Sequence, residues 1–150
     1  MRMRTAGSQW HPFRVVTFAF LLAWVAFHEE AFSAPPGRSV IPQLQEQFGL
    51  SQTQVELALG ALLVFARDQL PKPDFDDLAL RIPNADYVMQ NVKSRGVVTR
   101  PLDDIDDYEQ SLLSIGIGQP MASQFAPAVI QYLGSAGFDR ERDILARVVR

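Results

Sequence analysis

From Ser39 onward, apolar positions recur at helical spacing and are interrupted by Gly and Pro rather than by strand-like alternation. Ser39 opens a first segment that places Ile41, Leu44 and Phe48 on one face and stops at Gly49. Pro42 is tolerated there, because the first amides of a helix have no internal acceptor. The strongest local signal follows at Leu50-Ser51-Gln52-Thr53-Gln54-Val55. Ser51 and Gln54 have capping-box spacing, and Leu50 and Val55 can close a hydrophobic staple over it. The helix this starts is predicted to run to about Leu70, ahead of Pro71 and Pro73. Its centre, Leu57 to Ala66, reads LALGALLVFA and is apolar all round, so other helices must surround it. Ala58, Gly60 and Ala61 form a small-residue surface on which another helix can come close.

Asp74 is the next expected N-cap, with Asp76 and Asp77 suited to the positive end of a helix and Pro83 closing the segment. Asn84 or Asp86 begins a short helix holding Tyr87, Val88 and Val92. Residues 96–107 read as a charged linker. Leu112 and Leu113 start a further apolar segment that ends at Gly116 and Gly118. Pro120 opens a helix with Met121, Phe125, Val129 and Leu133 at spacing four, which Pro127 is expected to kink or restart. Asp139 caps a last amphipathic helix with Ile144, Leu145, Val148 and Val149 inward and an Asp143–Arg147 pair outward. The expected fold is all-α, a small multi-helical bundle of about six helices. Its sub-blocks 39–95 and 108–150 are joined by the charged linker and share a core around Leu57–Ala66.

The N-terminal end reads differently. Arg2, Arg4 and Arg14 precede an uncharged run from Val15 to Phe27, VVTFAFLLAWVAF. Its thirteen residues are short for a bilayer span of about 20 but fit the apolar region of a signal peptide, about 7–15 residues long. Ala31 and Ser33 provide small residues for a cut after Ser33, ahead of Ala34 and Pro35. Residues 1–33 are therefore expected to be a signal peptide and 34–150 an exported domain, periplasmic or secreted. The charged His28-Glu29-Glu30 leaves an uncleaved membrane anchor as the alternative. No membrane contact is expected after cleavage.

Trimming changes the chemistry available. The whole chain has 150 residues and net charge −3; residues 34–150 number 117, with 11 basic and 15 acidic side chains, net −4. Both histidines and both tryptophans lie in the leader, and the chain has no cysteine. The exported part thus cannot form a Ser-His-Asp or Cys-His site, nor hold zinc through imidazole or thiolate. It carries no Walker loop and no G-x-S-x-G elbow, and Gly116-Ile117-Gly118 lacks the third glycine of a dinucleotide fingerprint. No cofactor is expected. Net acidity and scattered cations argue against nucleic acid.

Carboxylates remain. The run Asp103-Asp104-Ile105-Asp106-Asp107-Tyr108-Glu109 lacks the register and glycine of a calcium loop and reads as a solvated acidic helix start. Asp74, Asp76 and Asp77 can supply an acid/base pair, but three acids at one helix start usually serve the cap and the dipole. The candidate partner-binding residues are Phe125, Val129, Tyr132 and Leu133, one stripe of the helix begun by Pro120, whose alternative role is core. These residues suggest a non-catalytic binding or structural protein that contacts an unidentified protein or envelope component. The alternative is a carboxylate-based hydrolase of the cell envelope.

Residues 39–70, SVIPQLQEQFGLSQTQVELALGALLVFARDQL, resemble the first block of the VcgC/VcgE family of bacterial proteins of unknown function. The shared features are a short Leu-containing helix, a Gly-Leu-Ser step, a Gln-rich helix start and a GALLxxA centre. Phe75 and Ile82-Pro83 match the continuation of that block. Met121 to Gly134, MASQFAPAVIQYLG, is similar to the family's MxxQFAPxxLxYLG run. The middle departs: family members are Gly/Ala-rich where this chain has the charged stretch Lys93–Glu109. The resemblance implies a helical exported domain with a signal peptide, and it brings no assigned catalytic residues.

Overall fold

The computed structural model describes residues 39–150; the expected signal peptide, 1–33, lies outside the described residues. The described chain is all-α, as expected, with seven helices rather than about six. They are α1 (Val40–Phe48), α2 (Gln52–Gln69), α3 (Lys72–Ala79), α4 (Ala85–Ser94), α5 (Ile105–Ser114), α6 (Gln119–Ser135) and α7 (Asp139–Val148).

The α1–α2 corner follows from local chemistry. Gly49 takes a left-handed conformation (φ 65°), which ends α1 and lets its amide donate to the Gln45 carbonyl at 2.9 Å. Ser51 then caps α2: its hydroxyl accepts from the Gln54 amide at 3.2 Å, and its own amide donates to Gln54 Oε1 at 3.2 Å. The capping box is present as read from the sequence. Every residue from Leu57 to Ala66 is buried. Helices α1, α3, α4, α5 and α7 all touch α2, while α6 packs on α1, α5 and α7. Among the described residues, no single helix is long and apolar enough to cross a membrane.

Helices α2 and α4 approach closely at Gly60. A Cβ built there would lie 2.3 Å from the Val88 carbonyl oxygen and 3.2 Å from Val92 Cβ. The small-residue surface of α2 is therefore where α4 sits.

Several local expectations shift. Helix α3 begins before Asp74, with Pro71 at its N-cap and Pro73 in its first turn, where a missing amide costs no bond. Asp74 becomes a first-turn acid. Helix α5 begins inside the acidic run, because the Asp104 side chain accepts from the Asp107 amide at 2.8 Å. The preceding segment is held on the core by buried Val98 and Leu102, and by Gln69 Nε2 donating to the Leu102 carbonyl at 3.0 Å. Pro127 neither breaks nor restarts α6, which runs unbroken from Gln119 to Ser135. Ser123, whose carbonyl loses its donor to the proline, is exposed and left to solvent. On α1 the buried face is Val40, Gln43 and Leu44, while Ile41 and Phe48 are only partly covered.

Candidate functional site

The stripe expected to meet a partner is core. Phe125, Val129, Tyr132 and Leu133 are all buried, and Phe125 stacks on Phe48 with ring centroids 5.7 Å apart. Spacing four along α6 marks the face turned toward α1, α5 and α7, so the core alternative is the one the fold adopts.

The acidic positions are engaged in pairing and capping. Asp74 meets Arg147 at 3.3 Å and Arg140 at 3.5 Å, Asp77 also pairs with Arg140, and Asp76 receives Lys72 Nζ at 2.6 Å. The expected Asp143–Arg147 pair does not form. Arg147 reaches across to α3 instead, and Asp143 pairs with Arg142 at 2.8 Å. An i,i+4 pair on an exposed face is worth only a few tenths of a kcal/mol, so a neighbouring helix with clustered acids outcompetes it. Asp107 accepts from both terminal guanidinium nitrogens of Arg100, and this hydrogen bonding holds its carboxyl below the usual carboxylate range. The acids weighed for hydrolysis, Asp74, Asp76 and Asp77, thus bind arginine and lysine and tie α3 to α7. Among the described residues, no group of three or more Asp, Glu, His or Cys side chains is placed to hold a metal ion.

A second tie to α7 comes from the turn after α3. Arg81 Nε donates to Glu141 Oε1 at 2.9 Å, and the Arg81 guanidinium sits 4.9 Å from the centroid of the Phe138 ring. Glu141 is buried, and the Arg81 hydrogen bond keeps its carboxyl below the ordinary glutamate range.

What the fold leaves open is the turn between α3 and α4. The Arg81 amide donates to Leu78 and the Ile82 amide to Ala79, which tightens the end of α3. Ile82 goes into the core, and that places Leu80, two residues back, outside at 79% exposure. Pro83 stops the turn, and Asn84 enters α4 in a left-handed conformation (φ 57°). The first turn of α4 then presents Tyr87, 59% exposed, while the next residues Val88 and Met89 turn inward. Leu80 and Tyr87 are the exposed large apolar side chains of the described residues. Both border one open groove of about 760 Å³, with Phe75 and Ile82 in its lining and Asp76 and Asp86 beside them. Sequence reading missed this groove. Its one legible trace is Tyr87, which is out of phase with the Val88–Val92 face of α4.

Two comparisons, with curated proteins and with solved structures, give no match. A family model does match, over residues 25–146, and it is described as protein of unknown function VcgC/VcgE (DUF2780). The match takes in all of α1 to α6 and most of α7, and with that coverage the chain belongs to the VcgC/VcgE family.

Proposed function

We propose that this chain is an exported, non-catalytic binding protein of the periplasm or cell exterior, and that it holds an envelope protein in the α3–α4 groove. The observation that carries this reading is the pairing of Leu80 and Tyr87 on one groove, while the other large apolar side chains of the described residues are covered wholly or in part. Exposed apolar side chains gathered at one place mark contact sites more often than scattered ones do. The occupant is a protein segment that sets an aliphatic side chain against Leu80 and Pro83 and a basic residue toward Asp86. Asp86 lines the groove and has no ion-pair partner among the described residues, whereas Asp76 already holds Lys72. Export is supported by the basic end, short apolar run and small-residue cut of residues 1–33.

The test joins N-terminal sequencing of the protein from fractionated cells with photo-crosslinking from positions 80 and 87, using position 131 on exposed α6 surface as control. The expected result is an N-terminus at Ala34 and one envelope protein captured from both groove positions, not from position 131, and lost in Leu80→Asp. A cytosolic chain still beginning at Met1 overturns the exported reading. Equal capture from all three positions overturns the assignment of the groove.

A further inference from the structure

A second groove, on a different part of the surface, has the opposite electrostatic character. It lies where the C-terminal third of α2, the last turn of α4 and the segment after α4 meet, and it encloses about 530 Å³. Arg67, Lys93 and Arg100 come into it from these three elements. The chain carries more acid than base, yet Asp68 is the only acid among the described residues of this lining.

The cations differ in how far they are already used. Arg67 leans on Asp68 at 3.3 Å, and Arg100 is clamped by Asp107 from the far side. Lys93 has no ion-pair or hydrogen-bond partner among the described residues, so the groove keeps one uncompensated positive charge. The Thr99 side chain and the Thr99 and Arg100 backbone amides also donate no hydrogen bond within the described residues. Beneath this rim the lining is apolar: Val64 and Val98, both buried in the core, close the bottom of the groove, and exposed Pro101 stands beside them.

A cationic rim over a hydrocarbon floor selects a ligand with two parts. An inorganic anion satisfies the rim but leaves the floor wet, and an apolar molecule leaves Lys93 without a partner. We propose that this groove binds an organic anion, a phosphate or carboxylate head on a short hydrocarbon body, with Lys93 and Arg67 on the head and Val64 and Val98 under the body. Its volume falls in the range of small-molecule sites, about 300–1,000 Å³. The same chemistry is offered by a free metabolite and by the headgroup and first methylenes of an anionic lipid. This groove shares no lining residue with the α3–α4 groove, and its ligand requires no protein partner.

The test titrates the purified protein with hexyl phosphate and with inorganic phosphate, following backbone amide NMR signals. Phosphatidylglycerol and phosphatidylcholine vesicles provide a separate sedimentation arm. Hexyl phosphate is expected to move the signals of Lys93, Val98, Thr99 and Arg100. It is expected to bind at least about tenfold tighter than inorganic phosphate, because methylenes leave water on the Val64–Val98 floor. Lys93→Gln, an exposed change that leaves the fold intact, is expected to weaken hexyl phosphate about fivefold, and Arg67→Gln less, since surface charge is partly screened. Sedimentation with phosphatidylglycerol alone, lost in Lys93→Gln, assigns the site to a lipid headgroup; no sedimentation with either vesicle, alongside hexyl phosphate binding, assigns it to a free anion. Sedimentation with both lipids alike overturns the anion requirement. So do equal affinities for the two phosphates, signal changes centred elsewhere, or a Lys93→Gln variant that binds as well as the parent.

Discussion

Replacing Gly60 with alanine pits helix propensity against packing, and the structure gives the sign. In the middle of a helix, Gly→Ala normally stabilises by about 0.5–1 kcal/mol, because alanine has less backbone freedom to lose. Here the new methyl would stand 2.3 Å from the Val88 carbonyl oxygen and 2.8 Å from its carbon. Both atoms are backbone of α4, so no rotamer change relieves the overlap and the helix itself must retreat by the better part of an ångström. Forcing a methyl into a packed interior typically costs about 1–3 kcal/mol. Val88 and Val92 lie in the same contact and would lose packing as α4 moves out. Subtracting the propensity gain leaves a net loss of about 0–2.5 kcal/mol, and an overlap with backbone that no rotamer change relieves puts it in the upper part of that range, about 1–2 kcal/mol. For a domain of this size that corresponds to roughly 4–10 °C in Tm. The assay is thermal and urea denaturation followed by circular dichroism, with Gly118→Ala as control. Gly118 has negative φ, and its added Cβ would meet nothing closer than 3.9 Å. A Gly60→Ala protein as stable as the parent, or more stable, would refute the close α2–α4 approach.

Three further outcomes test other parts of the fold. Ser51→Ala removes the bond from the Gln54 amide to the Ser51 hydroxyl and the hydroxyl's own bond to Gln54 Oε1, leaving the Ser51 amide bond in place, and is expected to lower unfolding free energy by about 1 kcal/mol; an unchanged urea midpoint would remove the cap from the account. The Tyr108 hydroxyl is fully buried with no hydrogen-bond partner among the described residues, and burial pushes the phenol well above its ordinary range, so Tyr108→Phe is expected to leave stability unchanged or raise it by about 1 kcal/mol. A clear loss on the same urea curve would mean that the hydroxyl is satisfied. Glu141 has a folded-state pKa below its unfolded value, so its stabilisation is present above about pH 4.3 and is lost as pH falls through the lower folded value. Glu141→Gln should therefore be less stable than the parent at pH 7, with the gap closing toward pH 3; a gap that stays constant with pH would contradict the Arg81 pairing.

Helix starts and stops were legible where they are set by neighbours in the chain. The Ser51–Gln54 box, the Gly49 stop and the proline-bounded end of α2 depend on backbone groups within about four residues, which the sequence displays directly. The all-round apolar run of Leu57–Ala66 likewise forced a central helix, because no single packed face could hide it. The family resemblance added the helical architecture of both blocks but no functional residue.

The sequence by itself determined that the described chain is helical, where its first long helix begins, and which helix lies at the centre. The tertiary structure decided which side chains remain outside. Leu80 and Leu78 are equally apolar, yet Leu78 is buried and Leu80 is exposed, because the turn anchored by Ile82 faces it outward. Arg147 chose Asp74, 73 residues away, over Asp143 four residues away, and the Phe125–Leu133 stripe went to the core instead of a surface. Periodicity records that a face is apolar, but not what covers it. That depends on how closely helices approach, and the approach is set by contacts such as Gly60 against Val88 between residues remote in the chain.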